Sequence, residues 1–448
     1  MLFLHLYAII RHVKRGFIPV LQLCKKHIGT FRLLSYEQGE WKKAREFGCP
    51  LQKQGGNSMH DVQRDMINLI RSGLTGQKHP IRPDFSLEHA LPFIAAHNLA
   101  TLCYYGAIAN EIDATSPAMK ELFGTVCYHV YCNEQQMKLA KQIFALFDQE
   151  KIDYMPLKGI LLKDLYPRPE MRVMGDIDVL IKTEQYKNIK PIMHQLSFQE
   201  FAESDHELIW SHNEFHVELH KRLIPSYNED FYSYFGDGWQ LAKKKSATLY
   251  AMTDEDMLIY LFTHFAKHYR DGGIGIKQTV DLWLFREKHL DLNEEYIRRE
   301  LSKLKLCAFY DNVLKTLDVW FSDAPSSDVT DLITNVIFKS GVFGNKSSHV
   351  LSQEIRATAR SGKSTSKAAR LINLAFMPYS SMCIKYPFLK RVPILLPVMW
   401  VVRWIDILFF KRHRVKEKMH DFNLLEKDKV EAYRQELSAV GLSFNSGD

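Results

Sequence analysis

The sequence predicts an α+β protein in which a small mixed sheet is embedded between helical regions. Three observations predict it. Apolar residues recur at three-and-four spacing through residues 61–148, as in Met137, Ala140, Ile143, Phe144 and Phe147. Residues 176–181 (DIDVLI) form a β-branched run and residues 215–219 alternate apolar with polar, so both read as strands. The helical pattern then returns from Thr253 to Phe321, opened by a Thr253 cap ahead of Asp254, Glu255 and Asp256.

The elements follow in order. Residues 1–60 read as an N-terminal helical extension: Met1 to Ile10 is apolar apart from His5, and its positive charges (Arg11, His12, Lys14, Arg15) come after it. A secretory leader has the reverse order, so an amphipathic helix is expected. Residues 61–150 are a helical region. Residues 151–250 hold the α/β core: a short strand at 152–157, a turn at Lys158–Gly159, a helical turn or two at 160–165, and a loop at 166–175. The strand at 176–181 follows, then a helix at 183–196 with Thr183 as N-cap and a kink at Pro191, then the strand at 215–219. Residues 251–325 are a helical region closing a cleft. Residues 326–380 are a linker with helices, and within them 345–370, rich in Ser, Lys and Arg, read as a linker or exposed arm.

Residues 381–448 read as an amphipathic, basic helical tail. Its apolar run at 392–402 is broken by Pro393 and Pro397 and stopped by Arg403 and Asp406, short of the ~20 residues that cross a bilayer. Lys411–Arg412–His413–Arg414–Val415–Lys416 follows, so residues 392–418 suit either the surface of an anionic membrane or docking on the chain itself or a partner.

The chain has 448 residues, 46% of them hydrophobic and 25% charged, which is enough apolar material for two or three globular parts. Its 59 Lys and Arg exceed 52 Asp and Glu by +7, too thin a surplus over this length for a general nucleic-acid groove. The seven cysteines are scattered and form no C-x-x-C pair, which argues against a disulfide framework and fits a reducing cytoplasm.

Asp176 and Asp178 stand two apart on a strand and so share a face, with Ile177 and Val179 on the other. Carboxylates so crowded either hold a proton or bind a divalent metal. On the later strand His216, Glu218 and His220 alternate with Phe215, Val217 and Leu219, so Glu218 can be offered to the same metals. Carboxylates on neighbouring strands are what a two-metal phosphoryl-transfer site requires. Lys158–Gly159, between strand and helix, suits a phosphate contact or a plain turn. Arg172 is a partner for a phosphate or for one of the aspartates. His216 and His220 flank Glu218 as a base or as hydrogen-bond donors; a zinc site is the rival, without an obvious third ligand. His264 and His268, one helical turn apart, suit the cleft wall facing a triphosphate, or ordinary packing.

Together, Leu157–Lys158–Gly159, Tyr166–Pro167, the run from Arg172 through Gly175 to Leu180, and Val217–Glu218–Leu219–His220 resemble the uncharacterised nucleotidyltransferase family of bacteria, within the DNA polymerase β-like superfamily. The likeness runs over about residues 60–320, taking in 69–74 and the helix from Leu261 towards Asp281. It implies a minimal nucleotidyltransferase fold with Asp176, Asp178 and Glu218 as metal ligands. Lys158, Gly159, Arg172 and Gly175 would lie around the nucleotide, and Glu218 or His216 would act as base. The superfamily usually has Gly-Ser where this chain has Lys158–Gly159, so the weight falls on the carboxylates.

The implied reaction uses two Mg²⁺ ions and moves a nucleoside monophosphate from a nucleoside triphosphate, ATP the expected donor, with release of pyrophosphate. A small molecule or sugar is the first expected acceptor and a protein modified by AMP attachment the second. A catalytically silent nucleotide-binding or assembly module is the alternative of another class.

Overall fold

The computed structural model describes residues 59–341, 344, 346–361, 376–410 apart from 378, 380, 381, 384 and 385, and 427–444. The expectations for the N-terminal extension and for the basic run at 411–418 lie outside the described residues.

Among the described residues four helices precede the sheet: α1 (Met59–Thr75), α2 (Leu87–Ala96), α3 (Ala100–Ala109) and α4 (Pro117–Gln149). α1 and α3 cross through a glycine on each. A Cβ on Gly73 would lie 2.2 Å from the Leu102 carbonyl oxygen and one on Gly106 1.9 Å from that of Leu69, so only glycine permits this approach. On α4, Ala140, Ile143 and Phe147 are buried, with Met137 and Phe144 packed beside them, as the spacing predicts.

β1 (Tyr154–Pro156), α5 (Gly159–Leu162), β2 (Asp176–Ile181), α6 (Tyr186–Gln195), β3 (Gln199–Glu203), β4 (Glu207–His212) and β5 (Phe215–His220) make the sheet region. The strand order is β1-β2-β5-β4-β3, with β2 and β5 parallel and the other pairs antiparallel. The period of two sorts the side chains between two cores. Ile177, Val179 and Ile181 join Val217, Leu219 and Trp210 under Ile143 and Phe147 of α4 and Ile189 and Met193 of α6. Leu180 points the other way, into the main core shared with the later helices. Each fully buried residue of this kind contributes ~1.5–3 kcal/mol, so the register of β2 is strongly specified.

Behind the sheet follow α7 (Glu229–Phe235), the small pair β6 (Lys243–Lys244) and β7 (Tyr250–Ala251), and the helices α8 (Asp254–Arg270), α9 (Ile276–Lys288), α10 (Glu294–Lys303), α11 (Cys307–Phe321) and α12 (Asp328–Ser340). Thr253 caps α8 as expected, its hydroxyl accepting from the Asp256 N–H at 3.1 Å. Then come α13 (Lys346–Ser361), α14 (Leu396–Phe410) and α15 (Lys427–Ala439). No helix among the described residues is long and apolar enough to cross a membrane.

Three expectations need correction. Thr183 does not cap a helix: it opens a 3-10 turn over Thr183–Gln185, and α6 begins at Tyr186. The sheet has five strands rather than three. β3 is exposed along its whole length, so no apolar alternation marks it, while β4 alternates only through Leu208 and Trp210. Residues 346–361 are a packed helix and not an exposed arm: Ser352 and Ile355 are buried, and Arg356 pairs with Asp271.

Candidate active site

The chain leaves β1 and turns at Lys158, whose φ of 45° and ψ of −115° place a non-glycine residue in the left-handed region. Such a conformation costs on the order of 1–3 kcal/mol and persists only where its surroundings over-determine it. Two bonds to one residue do so here. The Leu157 N–H donates to the Asp178 carbonyl at 3.0 Å, and Lys158 Nζ donates to Asp178 Oδ1 at 2.7 Å. Gly159 opens α5, and a Cβ there would lie 2.6 Å from Met174 and 2.7 Å from the Arg172 guanidinium. The glycine is needed for this packing.

The parallel register of β2 and β5 sets Asp178 opposite Glu218 and Asp176 opposite His216. Ligand atoms of Asp178, Glu218 and His220 lie within 4.8 Å of one another. His220 Nε2 is 2.8 Å from Asp178 Oδ1 and 3.5 Å from Glu218 Oε2. Since an ionised carboxylate only accepts, Nε2 carries the proton.

Burial, and then the charges of Asp178 and Glu218, push Asp176 up to about 8. Burial alone would raise Asp178 too, but the Lys158 ammonium and His220 hold it well below the usual carboxylate range. Glu218 is likewise lowered, burial being outweighed chiefly by the His220 hydrogen bond. At neutral pH Asp176 therefore keeps a proton that a divalent cation would displace. Hard oxygen donors in a half-buried pocket, too crowded to ionise together, fit such an ion.

A cavity of about 380 Å³ opens on this cluster. Of the residues the sequence singles out, Lys158, Arg172, Gly175, Asp176, Asp178 and Glu218 line it. Gly159 and His216 do not. Gly159 is packed beneath Met174 and Arg172, and the His216 ring lies against Phe201, 5.4 Å between centroids. Arg172 pairs with neither Asp176 nor Asp178. Its Nη2 meets Asp281 Oδ2 at 2.8 Å and its Nε meets Oδ1 at 3.2 Å, and the Tyr166 hydroxyl donates to that same Oδ1 at 2.8 Å.

The facing wall comes from α8 and α9. His264 and His268 both line the cavity, their rings 4.4 Å apart, and burial followed by the Lys158 charge or a neighbouring lysine keeps both far below the ordinary imidazole value. Between them Lys267 is lowered to about 8 by burial and by Lys158, and it has no carboxylate in ion-pair reach among the described residues. Lys277, also lowered to about 8 by burial and by Arg172, donates to the Val173 carbonyl at 3.2 Å. The sequence offered no signal for Lys267, Lys277 or Asp281 as site residues, whereas His220 was available from its alternation with Glu218.

A strand pair with clustered carboxylates, walled by helices that carry cations, defines the nucleotidyltransferase class of enzyme. The chain belongs to the uncharacterised nucleotidyltransferase family, whose model matches residues 83–322. A solved structure, the solution structure of the antibiotic-resistance factor ANT(2'')-Ia, is similar over 43% of this chain and 100% of that one, at 13% identity and a TM-score of 0.28. Likeness so loose bears on neither substrate nor mechanism. No curated protein matches the chain.

Proposed function

We propose that the chain moves a nucleoside monophosphate from a nucleoside triphosphate, ATP the expected donor, to a hydroxyl of a small molecule or sugar. The observation that carries this is the β2–β5 register, which sets Glu218 opposite Asp178 and on the same cavity as Asp176. The acceptor oxygen bonds to the α-phosphorus, the bond from that phosphorus to the α,β-bridging oxygen breaks, and pyrophosphate leaves. Held by Asp176, Asp178 and Glu218, two Mg²⁺ ions would supply charge neutralisation for the triphosphate and acidify the acceptor hydroxyl.

The chain's own residues divide the remaining work. Glu218, steadied by His220, accepts the acceptor's proton. Lys158 is free to meet a phosphate oxygen once Asp178 has another cation. Lys267 and Lys277 offer charge to the triphosphate from the facing wall, and His264 and His268, held neutral, offer hydrogen bonds. Arg172 holds its loop to α9 through Asp281 and leaves the Gly175 backbone at the cavity. A cavity of about 380 Å³ between the strands and the α8–α9 wall supports a small acceptor over nucleic acid. Free cysteines at 103, 127, 132, 307 and 383 support a cytoplasmic setting.

Asp178→Asn is expected to lower nucleotide transfer by ~10³-fold or more. Full activity of that variant with Mg²⁺ would refute the assignment. Incubation of the enzyme with labelled ATP and a cell extract separates the acceptors, because label passes into small metabolites on this reading and into protein bands on the alternative. Calorimetric binding of a non-hydrolysable triphosphate without any turnover would instead mark a silent binding module.

A further inference from the structure

α14 is apolar on two faces, and among the described residues one of them is packed and the other exposed. Leu396, Met399 and Trp400 pack on a small cluster made by Met382, Cys383 and Leu389, apart from the main core. Trp400 is fixed there, its Nε1 donating to the Met377 carbonyl at 2.9 Å while Phe376 stands edge-on to it and to Trp404. The opposite face presents Val398, Val401, Val402 and Ile405 to solvent, as does the preceding 3-10 turn with Ile394 and Leu395; Ile394 is 83% and Val398 56% exposed. Positions 398, 401, 402 and 405 follow helical spacing, so they form one continuous stripe. A stripe of this size does not face water without a reason.

Charge identifies what covers it. Lys390 and Arg391 precede the stripe in the sequence, and Lys411, Arg412, Arg414, Lys416 and Lys418 follow it, against Asp406 and Glu417. A second copy laid face to face would bring cationic flanks together. A neutral apolar partner would leave them unmatched. A helix of 15 residues is about 22 Å long, too short to span a bilayer but suited to lying in its surface, where tryptophans and flanking cations are favoured. We propose that α14 docks this enzyme on an anionic lipid surface, the Val398–Val402 stripe entering the acyl boundary and the positive charge that the sequence carries on either side of the helix favouring anionic headgroups.

The test uses the full chain in flotation with vesicles of phosphatidylcholine mixed with phosphatidylglycerol, and with phosphatidylcholine alone. The enzyme is expected to float with the mixed vesicles, several-fold less as salt is raised, and to stay behind with the neutral ones. Val398→Asp combined with Val402→Asp, both on the exposed stripe, is expected to lower partitioning at least ~10-fold while circular dichroism and nucleotide transfer are unchanged. Lys411→Glu with Arg412→Glu, Arg414→Glu and Lys416→Glu is expected to abolish the preference for anionic lipid. Failure of the parent chain to float, or equal flotation of the valine variant, overturns the proposal. So does a concentration-dependent dimer in sedimentation that the valine variant loses, since a second copy would then be the occupant.

Discussion

Lys158 Nζ and His220 Nε2 converge on a single oxygen, Asp178 Oδ1, at 2.7 and 2.8 Å. The ammonium balances the carboxylate cluster, and it does so from a left-handed backbone conformation held by this contact, by the Leu157–Asp178 bond and by the Leu161 and Leu162 N–H groups that donate to the Lys158 carbonyl. Replacing Lys158 by Met leaves Asp178 and Glu218 buried without that charge, a loss of ~3–5 kcal/mol by the measure of broken buried pairs. Mg²⁺ should restore part of it. Thermal melts of Lys158→Met and the parent, each with and without Mg²⁺, are expected to show a lower Tm for the variant and a larger gain from the ion. Equal gains would mean that the lysine and the ion do not address the same carboxylates.

Much of this site was legible in the sequence because a strand's period of two is a hard constraint. Once Ile177 and Val179 are assigned to the core, Asp176 and Asp178 have one remaining direction, and the same holds for Glu218 between Val217 and Leu219. What escaped depends on distance in the fold. Arg172 finds Asp281 across 109 positions, and nothing local marks either as the other's partner. β3 escaped because an exposed edge strand buries nothing, and α13 because its buried positions, Ser352 and Ile355, are too few to show through its Ser, Lys and Arg. His216 has the right alternation for a site residue, but the Phe201 ring on the exposed edge strand takes up its side chain.

The Arg172–Asp281 pair joins the loop before β2 to α9, and both side chains are more than nine-tenths buried. Asp281→Ala removes the carboxylate from Arg172 and from the Tyr166 hydroxyl at once, so it should cost roughly 3–5 kcal/mol in denaturant unfolding. Arg172→Met and Tyr166→Phe in a double-mutant cycle with Asp281→Ala should give coupling well above the scatter of independent sites. Additive losses would show that the pair is incidental to holding the loop.

Lys267 makes stability and binding depend on pH in opposite directions. Lys158 and Arg356 face it and lower it, Asp271 and Glu207 raise it, and burial brings it to about 8 from an ordinary 10.5. Between those values the unfolded chain holds a proton on this group that the folded chain has released, so its contribution to stability rises with pH across that window. Triphosphate binding requires the charged form, so affinity should fall as pH climbs past about 8. Lys267→Met should raise the Tm of the free enzyme, raise the triphosphate KM by roughly 10-fold, and flatten its alkaline limb. A variant whose KM keeps the parent's pH profile would remove Lys267 from the triphosphate wall.

The two histidines of β5 separate a residue beside the carboxylates from one that only shares their strand face. His220 meets both Asp178 and Glu218, and those contacts outweigh burial and the Lys158 charge to keep its imidazole more basic than usual. His216 is off the cavity, beside Phe201. His220→Ala leaves Glu218 without its hydrogen bond and changes the charge around Asp178, an effect comparable to loss of an outer ligand contact, ~10–100-fold in activity or metal affinity. His216→Ala should stay within about threefold of the parent, a loss of packing against Phe201 worth about 1 kcal/mol or less. Measured side by side at saturating Mg²⁺, the reverse ranking would place the proton acceptor at His216 and require Phe201 of β3 to swing away from it.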